Sequence, residues 1–223
     1  MIKYSSFKNR KMRHQIKRFL TSLLPKSTVN DYRKKRQKKL LVEWERNGCP
    51  NPPPHLVKQK AIKEYKDKYN YNILVETGTY LGDMVEAQKS NFDKLFSIEL
   101  GADLFKNAKK RFKDDKNVIL ELGDSGKVLR KVLQQIDEPA IFWLDGHYSA
   151  GITAKGEKEC PIFEELDSIF DSKNLNHVLL IDDARCFVGE GDYPTIDKLT
   201  EYVKSKDERY NVEVKHDIIR YSI

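Results

Sequence analysis

The chain has 223 residues, enough for one full hydrophobic core, and 34% of them are charged. The net charge of +7 is uneven, because residues 1–41 hold 14 Lys and Arg against one acid and carry +13, whereas the remainder carries −6. No apolar run approaches the ~20 residues of a membrane span, and none near the N-terminus is long enough for a signal-peptide core. The three cysteines have neither a paired nor a metal-binding spacing. The sequence therefore predicts a cytoplasmic protein without a disulfide framework.

Residues 1–54 are predicted to form a basic helical arm and a proline-rich hinge. Two helical segments fit the arm, at 14–24 and 29–47. The hinge, Cys49 to Pro54, can form neither a helix nor a central strand, because proline lacks the amide donor. Three partners fit the arm: a nucleic acid, an anionic membrane surface at the inner face of the membrane, or another subunit of a homo-oligomer. The alternative is a solvated helix that binds no partner.

Residues 55–223 are predicted to form one α/β domain. A helix precedes a regular alternation of apolar strand-like segments and helical segments. The strands fall at 73–76, 95–99, 117–122, 140–145 and 177–183, and the helices that follow them at 82–90, 104–112, 125–136, 161–170 and 195–206. Two further strands, 210–216 and 217–223, adjoin directly and predict a hairpin. The pattern predicts a doubly wound, mostly parallel, Rossmann-like seven-stranded sheet that ends in an antiparallel hairpin.

Acidic residues follow the predicted strands at the points where the strands end. They are Glu76, Glu99, Asp124, Asp145, Asp182 and Asp183. The carboxyl ends of parallel strands line one crevice of the sheet, where ligands bind. Carboxylates along that edge predict a cationic ligand, a metal ion, or both. The alternative for each acid is that it caps the helix that follows.

The loop after the first strand, ETGTYLGD (76–83), is rich in glycine and acidic. Its GxxxG spacing differs from the GxGxxG of dinucleotide sites, and its two acids would repel a pyrophosphate. S-adenosylmethionine fits such a loop, since its sulfonium is cationic and it carries no phosphate. Glu99 is expected to hold the ribose hydroxyls, and Asp124 and Ser125 to meet the adenine edge. The predicted cofactor residues are Glu76, Gly78, Thr79, Gly82, Glu99, Asp124 and Ser125.

Five segments resemble the motifs of the class I S-adenosylmethionine-dependent methyltransferases over approximately Leu56 to Ile223. They are ETGTYLG, SIEL, GDS, WLDGHYSAG and LIDDAR. Within that class the chain is most similar to bacterial sugar O-methyltransferases of the macrocin and novobiocin type, mainly through LDGH and IDD. The resemblance implies methyl transfer to an oxygen. The implied acceptor is a sugar of a surface polysaccharide or of a secondary metabolite.

Asp145-Gly146-His147 follows the fourth strand, beside the expected position of the transferable methyl group. A hydroxyl acceptor must lose a proton, and a neutral imidazole can take it at physiological pH. We therefore expect His147 to be the general base beside Asp145, where the similar sugar enzymes have an acid. The alternative is a histidine packed under the following loop. That long, glycine-rich loop is expected to act as a lid, and the predicted acceptor contacts are Tyr148, Thr153, Lys155 and Arg185.

Asp145, Asp182 and Asp183 come from adjacent strand ends and are expected to converge. Carboxylates and water suit a hard cation such as Mg²⁺. Resemblance to the sugar methyltransferases implies such an ion at these three positions, gripping vicinal oxygens of the acceptor. The alternative is that the paired aspartates form a turn.

Three other functions compete with sugar O-methylation. The basic arm fits an RNA or DNA methyltransferase, although the fourth strand ends in LDGH and not in the N/D-P-P-Y of amino-methylating enzymes. A nucleotide-sugar glycosyltransferase could use Asp182 and Asp183 to hold a metal diphosphate, but the acidic loop opposes it. The third alternative is a non-catalytic binding module that has kept the fold.

Overall fold

The computed structural model describes residues 26–146, 159–173 and 175–223. The chain divides between Cys49 and Pro50 into two units. In the first unit the described element is helix α1 (Lys26–Arg46), which corresponds to the second predicted arm helix. The first predicted arm helix, 14–24, lies outside the described residues.

The second unit contains one seven-stranded sheet, in the order β3-β2-β1-β4-β5-β7-β6. The strands are β1 (Ile73–Thr77), β2 (Lys94–Glu99), β3 (Val118–Leu122), β4 (Ala140–Leu144), β5 (Val178–Ile181), β6 (Asn211–Lys215) and β7 (Ile218–Ser222). The first five pair in parallel, whereas β7 pairs antiparallel with both β5 and β6. The predicted doubly wound sheet with a C-terminal antiparallel hairpin is confirmed.

Helices cover both faces of this sheet. They are α2 (His55–Tyr69), α3 (Asp83–Gln88), α4 (Ala102–Arg111), α5 (Ser125–Leu133), α6 (Ile162–Phe170) and α7 (Ile196–Lys206), with a short 3₁₀ helix at Ala184–Cys186. Within the ranges that the structure describes, no helix is long and apolar enough to span a membrane.

The core has two layers because side chains along a strand alternate between the faces of the sheet. In β1, Ile73 and Val75 pack with α5, α6 and α7, whereas Leu74 packs with α2, α3 and α4. All three side chains are fully buried. Strands buried on both faces read as continuous apolar runs, and this accounts for the uninterrupted hydrophobic segments of the sequence.

The loops that follow the strands leave the sheet in register. Hydrogen bonds continue beyond the strand ends, from Gly78 N to Ile98 O at 2.9 Å, from Asp145 N to Thr77 O at 3.2 Å, and from Asp182 N to Leu144 O at 3.1 Å. The acidic residues at the ends of β1, β4 and β5 therefore lie side by side at one edge of the sheet.

Candidate functional site

The glycine loop begins with a close approach between two strand ends. Gly78 has φ +86°, and a Cβ built on it would lie 2.3 Å from the backbone carbonyl oxygen of Asp145. A side chain at this position would collide with the backbone of the chain leaving β4, so only glycine fits. Gly78 thus sets how closely the β1 loop and the β4 end can approach.

Gly82 serves a different neighbour. It also has positive φ, +75°, and an added Cβ would lie 2.6 Å from the ring of Phe112. Arg111 fastens the same loop, since it donates to the carbonyl oxygen of Leu81 at 2.6 Å and to the Asp83 carboxylate at 2.9 Å. Gly82 therefore lets the loop pack on the end of α4, whether or not it also approaches a ligand.

Glu76 lies inside the protein, with 2% of its surface exposed. Ser97 Oγ donates to Glu76 Oε2 at 2.5 Å, and Thr79 Oγ1 lies 2.6 Å from the same serine oxygen. Burial raises the pKa of Glu76 to about 8, and the nearby charge of Glu99 acts in the same direction, while the Ser97 hydrogen bond opposes both. Without a bound cation, Glu76 therefore keeps its proton near neutral pH.

Glu99 ends β2 and has its carboxylate held by the backbone. Tyr80 N donates to Oε2 and Gly101 N donates to Oε1, each at 2.7 Å. Glu99 is 5% exposed, and it is not the residue that caps α4. A carboxylate oxygen can accept more than one hydrogen bond, so this group is oriented and can still receive two hydroxyls of a ligand.

Asp124 is a helix cap. Its Oδ1 accepts from Gly126 N at 3.1 Å at the start of α5, which is the alternative considered for every strand-end acid. Its neighbour Ser125 is buried, and its Oγ lies at Gly146, where an added Cβ would be 3.0 Å from it and 2.8 Å from Glu165 Oε1. The structure therefore places Ser125 against the chain that leaves β4.

The predicted metal position contains an ammonium group. Lys58, on α2, donates to Asp182 Oδ2 in a very short contact and to Asp183 Oδ1 at 3.3 Å. Burial by itself lowers the pKa of Lys58, but the carboxylates of Asp182, Asp183 and Asp145 outweigh it and raise that pKa. Burial raises the pKa of Asp145 well above its usual value, and the charge of Asp182 adds to this. The three predicted aspartates do converge, around a lysine.

The described residues do not fit a metal ion at this position. No group of three or more His, Cys, Asp or Glu in the described ranges is arranged to hold one. Both oxygens of Asp182 are engaged, Oδ2 by Lys58 and Oδ1 by Asp183 N at 2.8 Å. A divalent cation would have to displace the ammonium group, and the structure gives no support for the Mg²⁺ that resemblance to the sugar methyltransferases implied.

Arg185 is anchored beside this cluster. Its Nη1 contacts Asp183 Oδ1 at 2.8 Å and makes a very short contact with Asp217 Oδ2, while its backbone N donates to Asp217 Oδ1 at 2.8 Å. Burial opposes its charge, but Asp183 and Asp217 raise its pKa. The side chain of Arg185 stays 37% exposed, so it holds the loop after β5 and remains partly open to solvent.

Four predicted site residues lie outside the described residues, namely His147, Tyr148, Thr153 and Lys155. The base and most of the acceptor contacts therefore stay predictions.

Sequence reasoning missed Lys58, Ser97 and Glu165. Lys58 lies four residues before Ile62 and seven before Tyr65, so it interrupts the buried stripe of α2 with a charge. Ser97 is a hydroxyl within the apolar strand KLFSIE and pairs with Glu76 in the register of β1 and β2. The sequence shows Lys58 and Ser97 as polar residues within apolar patterns, but it does not show which residues they contact.

No protein-family model matches the sequence, and a comparison with curated proteins finds none that is similar to it. Solved structures do match. The O-methyltransferase TomG from Streptomyces achromogenes, in complex with S-adenosylmethionine, is 14% identical over 84% of this chain and 88% of that chain, with a TM-score of 0.57. An O-methyltransferase from Bacillus cereus is 10% identical over 84% and 90%, with a TM-score of 0.55. A Podospora anserina methyltransferase is 16% identical over 89% and 97%, with a TM-score of 0.50.

These similarities define the class of fold. The chain has the fold of the class I S-adenosylmethionine-dependent methyltransferases, O-methyltransferases among them. The identities are low, so the likeness establishes the fold, and the activity must be argued from the site.

Proposed function

We propose that the protein is an S-adenosylmethionine-dependent O-methyltransferase. The observation that carries the proposal is the placement of Glu99 on this fold. Its oriented carboxylate ends β2, next to the glycine loop, where Rossmann-type sites hold ribose hydroxyls. The solved O-methyltransferases of the same fold support the proposal.

The charge of the cleft favours a sulfonium over a pyrophosphate. The charge of Glu99 contributes to raising the pKa of Glu76, and the charge of Glu76 contributes to raising the pKa of Asp145. A cation brought among them would lower the pKa of Glu76 and recover the energy lost by its burial. The same carboxylates would repel a diphosphate. This repulsion disfavours both a dinucleotide-dependent enzyme and a nucleotide-sugar glycosyltransferase.

The residues present fit S-adenosylmethionine, which would supply an activated methyl group on a positively charged sulfur. Glu99 would hold the ribose hydroxyls, Glu76 and Thr79 would line the loop, and Gly78 would let the loop pass close to the chain after β4. Ser125 and Asp124, at the start of α5, would lie next to the edge of the adenine ring. Methyl transfer then depends mainly on holding the acceptor oxygen in line with the methyl group.

The acceptor proposed is a hydroxyl of a sugar or glycan, and the proposed base is His147 beside Asp145. Support comes from position, since Asp145 and Gly146 continue from β4 at the crevice, next to Gly78. Tyr148, Thr153, Lys155 and Arg185 are the proposed acceptor contacts. Arg185 is partly exposed and anchored by Asp183 and Asp217, so it can present positive charge to an acidic sugar.

One experiment with two variants tests cofactor binding and proton removal separately. Titration calorimetry with S-adenosylmethionine should show binding to the wild-type chain, and Glu99→Ala should weaken it by roughly 10- to 100-fold, since a charge-assisted hydrogen bond contributes about 1.5–3 kcal/mol. His147→Ala should bind the cofactor like the wild type but lose transfer of a labelled methyl group to nucleotide-sugar or cell-envelope glycan acceptors.

Glu138→Gln, an exposed acidic position, is the matched control and should change neither measurement. Absence of S-adenosylmethionine binding by the wild-type chain would end the proposal. Cofactor binding without turnover on any hydroxyl acceptor would instead favour the non-catalytic binding module.

A further inference from the structure

Lys58 enters the predicted acceptor side of the cleft from a helix outside the strand-end motifs. Its ammonium group contacts the carboxylates of Asp182 and Asp183, and Asp145 is near enough to raise its pKa. The side chain of Lys58 is 16% exposed, and that of Asp182 is fully buried. One ammonium thus faces the three carboxylates that the sequence assigned to a divalent ion.

The position of Lys58 is set by the fold. Its neighbours on the same face of α2, Ile62 and Tyr65, are buried against the sheet, and the preceding residue Val57 is buried as well. The helix is also fastened at its far end, where Tyr69 donates to the backbone carbonyl of Ile223 at 2.9 Å. By contrast, the side chain of Lys63 on the same helix is 54% exposed and pairs with Asp67, four residues further on.

Three of the carboxylate oxygens around Lys58, both of Asp182 and one of Asp183, already accept hydrogen bonds. Asp182 accepts from Lys58 and from the backbone of Asp183, and Asp183 Oδ1 accepts from both Lys58 and Arg185. Two cationic side chains therefore already contact the aspartate pair. Divalent ions also bind carboxylate oxygens, so such an ion would compete with the Lys58 ammonium group for them.

We propose that Lys58 is the resident cation of this site, occupying the place of a divalent metal and donating a hydrogen bond to the acceptor oxygen. An ammonium group has three N–H donors, and described residues take two of them, at Asp182 and Asp183. The third can hold the acceptor hydroxyl in line with the methyl group. The inference rests on the proposed function for the identity of the acceptor, but the replacement of the metal can be tested without it.

The experiment measures Mn²⁺ binding, because this ion prefers carboxylate oxygens and its binding is observable by electron paramagnetic resonance. The wild-type chain, freed of metal with a chelator, should show no Mn²⁺ binding and no change in melting temperature on adding Mn²⁺ or Mg²⁺. Lys58→Met removes the charge and keeps the apolar stem. This variant should melt at a lower temperature, bind Mn²⁺, and regain stability when either ion is added.

Lys63→Met is the matched control on the same helix and should behave like the wild type. Lys58→Arg keeps a cation at the cluster and should bind no Mn²⁺, which distinguishes charge from packing. If Lys58→Met does not fold, Lys58→Gln, which also removes the charge, takes its place in the Mn²⁺ and melting measurements. Binding of Mn²⁺ by the wild-type chain, or loss of its methyl transfer on chelation, would overturn the proposal.

Failure of the proposed function has a different signature. In that case the wild-type chain does not bind S-adenosylmethionine, whereas the Mn²⁺ measurements can still follow the pattern expected for an internal cation.

Discussion

At the scale of single residues, the site combines a buried carboxyl with a hydroxyl relay. Glu76 is a buried residue of β1; Ser97 donates to its carboxyl group, and Thr79 contacts the hydroxyl of Ser97 in turn. Removing a carboxylate from water favours its neutral form. The site therefore holds a proton that a bound cation would release, which couples ligand charge to pH.

Because the pKa of Glu76 is raised on folding, the free energy of unfolding of the ligand-free chain should depend on pH. With a pKa of about 8 in the folded chain and 4.5 as the ordinary value, Glu76 binds more protons folded than unfolded between these pH values. Its effect on the free energy of unfolding is therefore favourable at low pH and is lost as the pH rises through this window. Glu76→Gln cannot titrate, so from pH 5 to 8 the wild type should lose roughly 2–4 kcal/mol more than the variant.

Urea unfolding at pH 5, 6, 7 and 8 measures this difference. Comparing wild type with variant cancels the titration of other groups, and Glu138→Gln, which is exposed, should follow the wild type. Parallel pH profiles for wild type and Glu76→Gln would show that Glu76 ionises normally in the fold.

At the scale of elements, the shape of the cleft depends on two glycines at which neighbouring segments come into direct contact. The β1 loop passes the end of β4 at Gly78, and the chain leaving β4 passes α5 and α6 at Gly146. Gly78 lies where two backbone segments come into contact. Gly146 lies where the backbone contacts buried polar side chains. The β1 loop, the end of β4 and the helices beside it can approach this closely because neither glycine has a Cβ atom.

Gly78→Ala should be more harmful than an ordinary glycine substitution at positive φ. The matched control is Gly191→Ala, because Gly191 also has positive φ, +57°, but nothing lies within 4 Å of an added Cβ. We expect Gly191→Ala to cost about 1 kcal/mol for the left-handed backbone, and Gly78→Ala about 1–3 kcal/mol more for the collision with Asp145.

Thermal and urea unfolding give both values, and calorimetry should show weaker S-adenosylmethionine binding for Gly78→Ala alone. Equal destabilisation of the two variants would mean that the β4 end moves aside without cost.

At the scale of the whole molecule, charge is divided between the two units. Residues 1–49 hold 15 Lys and Arg against three acids, whereas residues 50–223 carry a net charge of −5. On α1 the lysines at 34, 35, 38 and 39 are exposed. Successive helix residues point about 100° apart, so these four lysines fall within an arc of about 140°, on one side of the helix.

This distribution predicts binding to polyanions through the arm. The wild-type chain should bind a single-stranded RNA oligonucleotide with an affinity that falls steeply with salt, by a slope of about 0.7 per phosphate contact on a log–log plot. The variant Lys34→Glu, Lys35→Glu, Lys38→Glu and Lys39→Glu should lose that binding and keep its affinity for S-adenosylmethionine.

Filter binding across a salt series measures the slope. Vesicles of anionic lipid, run in parallel, decide whether a membrane surface competes with RNA for the arm. Salt-independent RNA binding, or equal binding by the charge-reversed variant, would contradict an electrostatic role for α1.

The sequence by itself determined the order of strands and helices and the acidic strand ends. Apolar runs of strand length, separated by helical periods and glycine-containing loops, are local signals, and they predicted every strand of the sheet to within a few residues. The parallel register then follows, since strand–helix–strand units have one favoured connection. Acids such as Glu76 and Asp145 were therefore placed on one edge without coordinates.

Only the tertiary structure decided what those acids contact. Lys58 and Asp182 are 124 residues apart in the chain, and no local pattern relates a lysine on α2 to the end of β5. The tertiary structure likewise shows that Asp124 caps a helix and that Ser97 donates a hydrogen bond to the buried Glu76. Secondary structure arises from neighbouring residues, whereas the charge and protonation of a cleft depend on groups that meet only when the chain has folded.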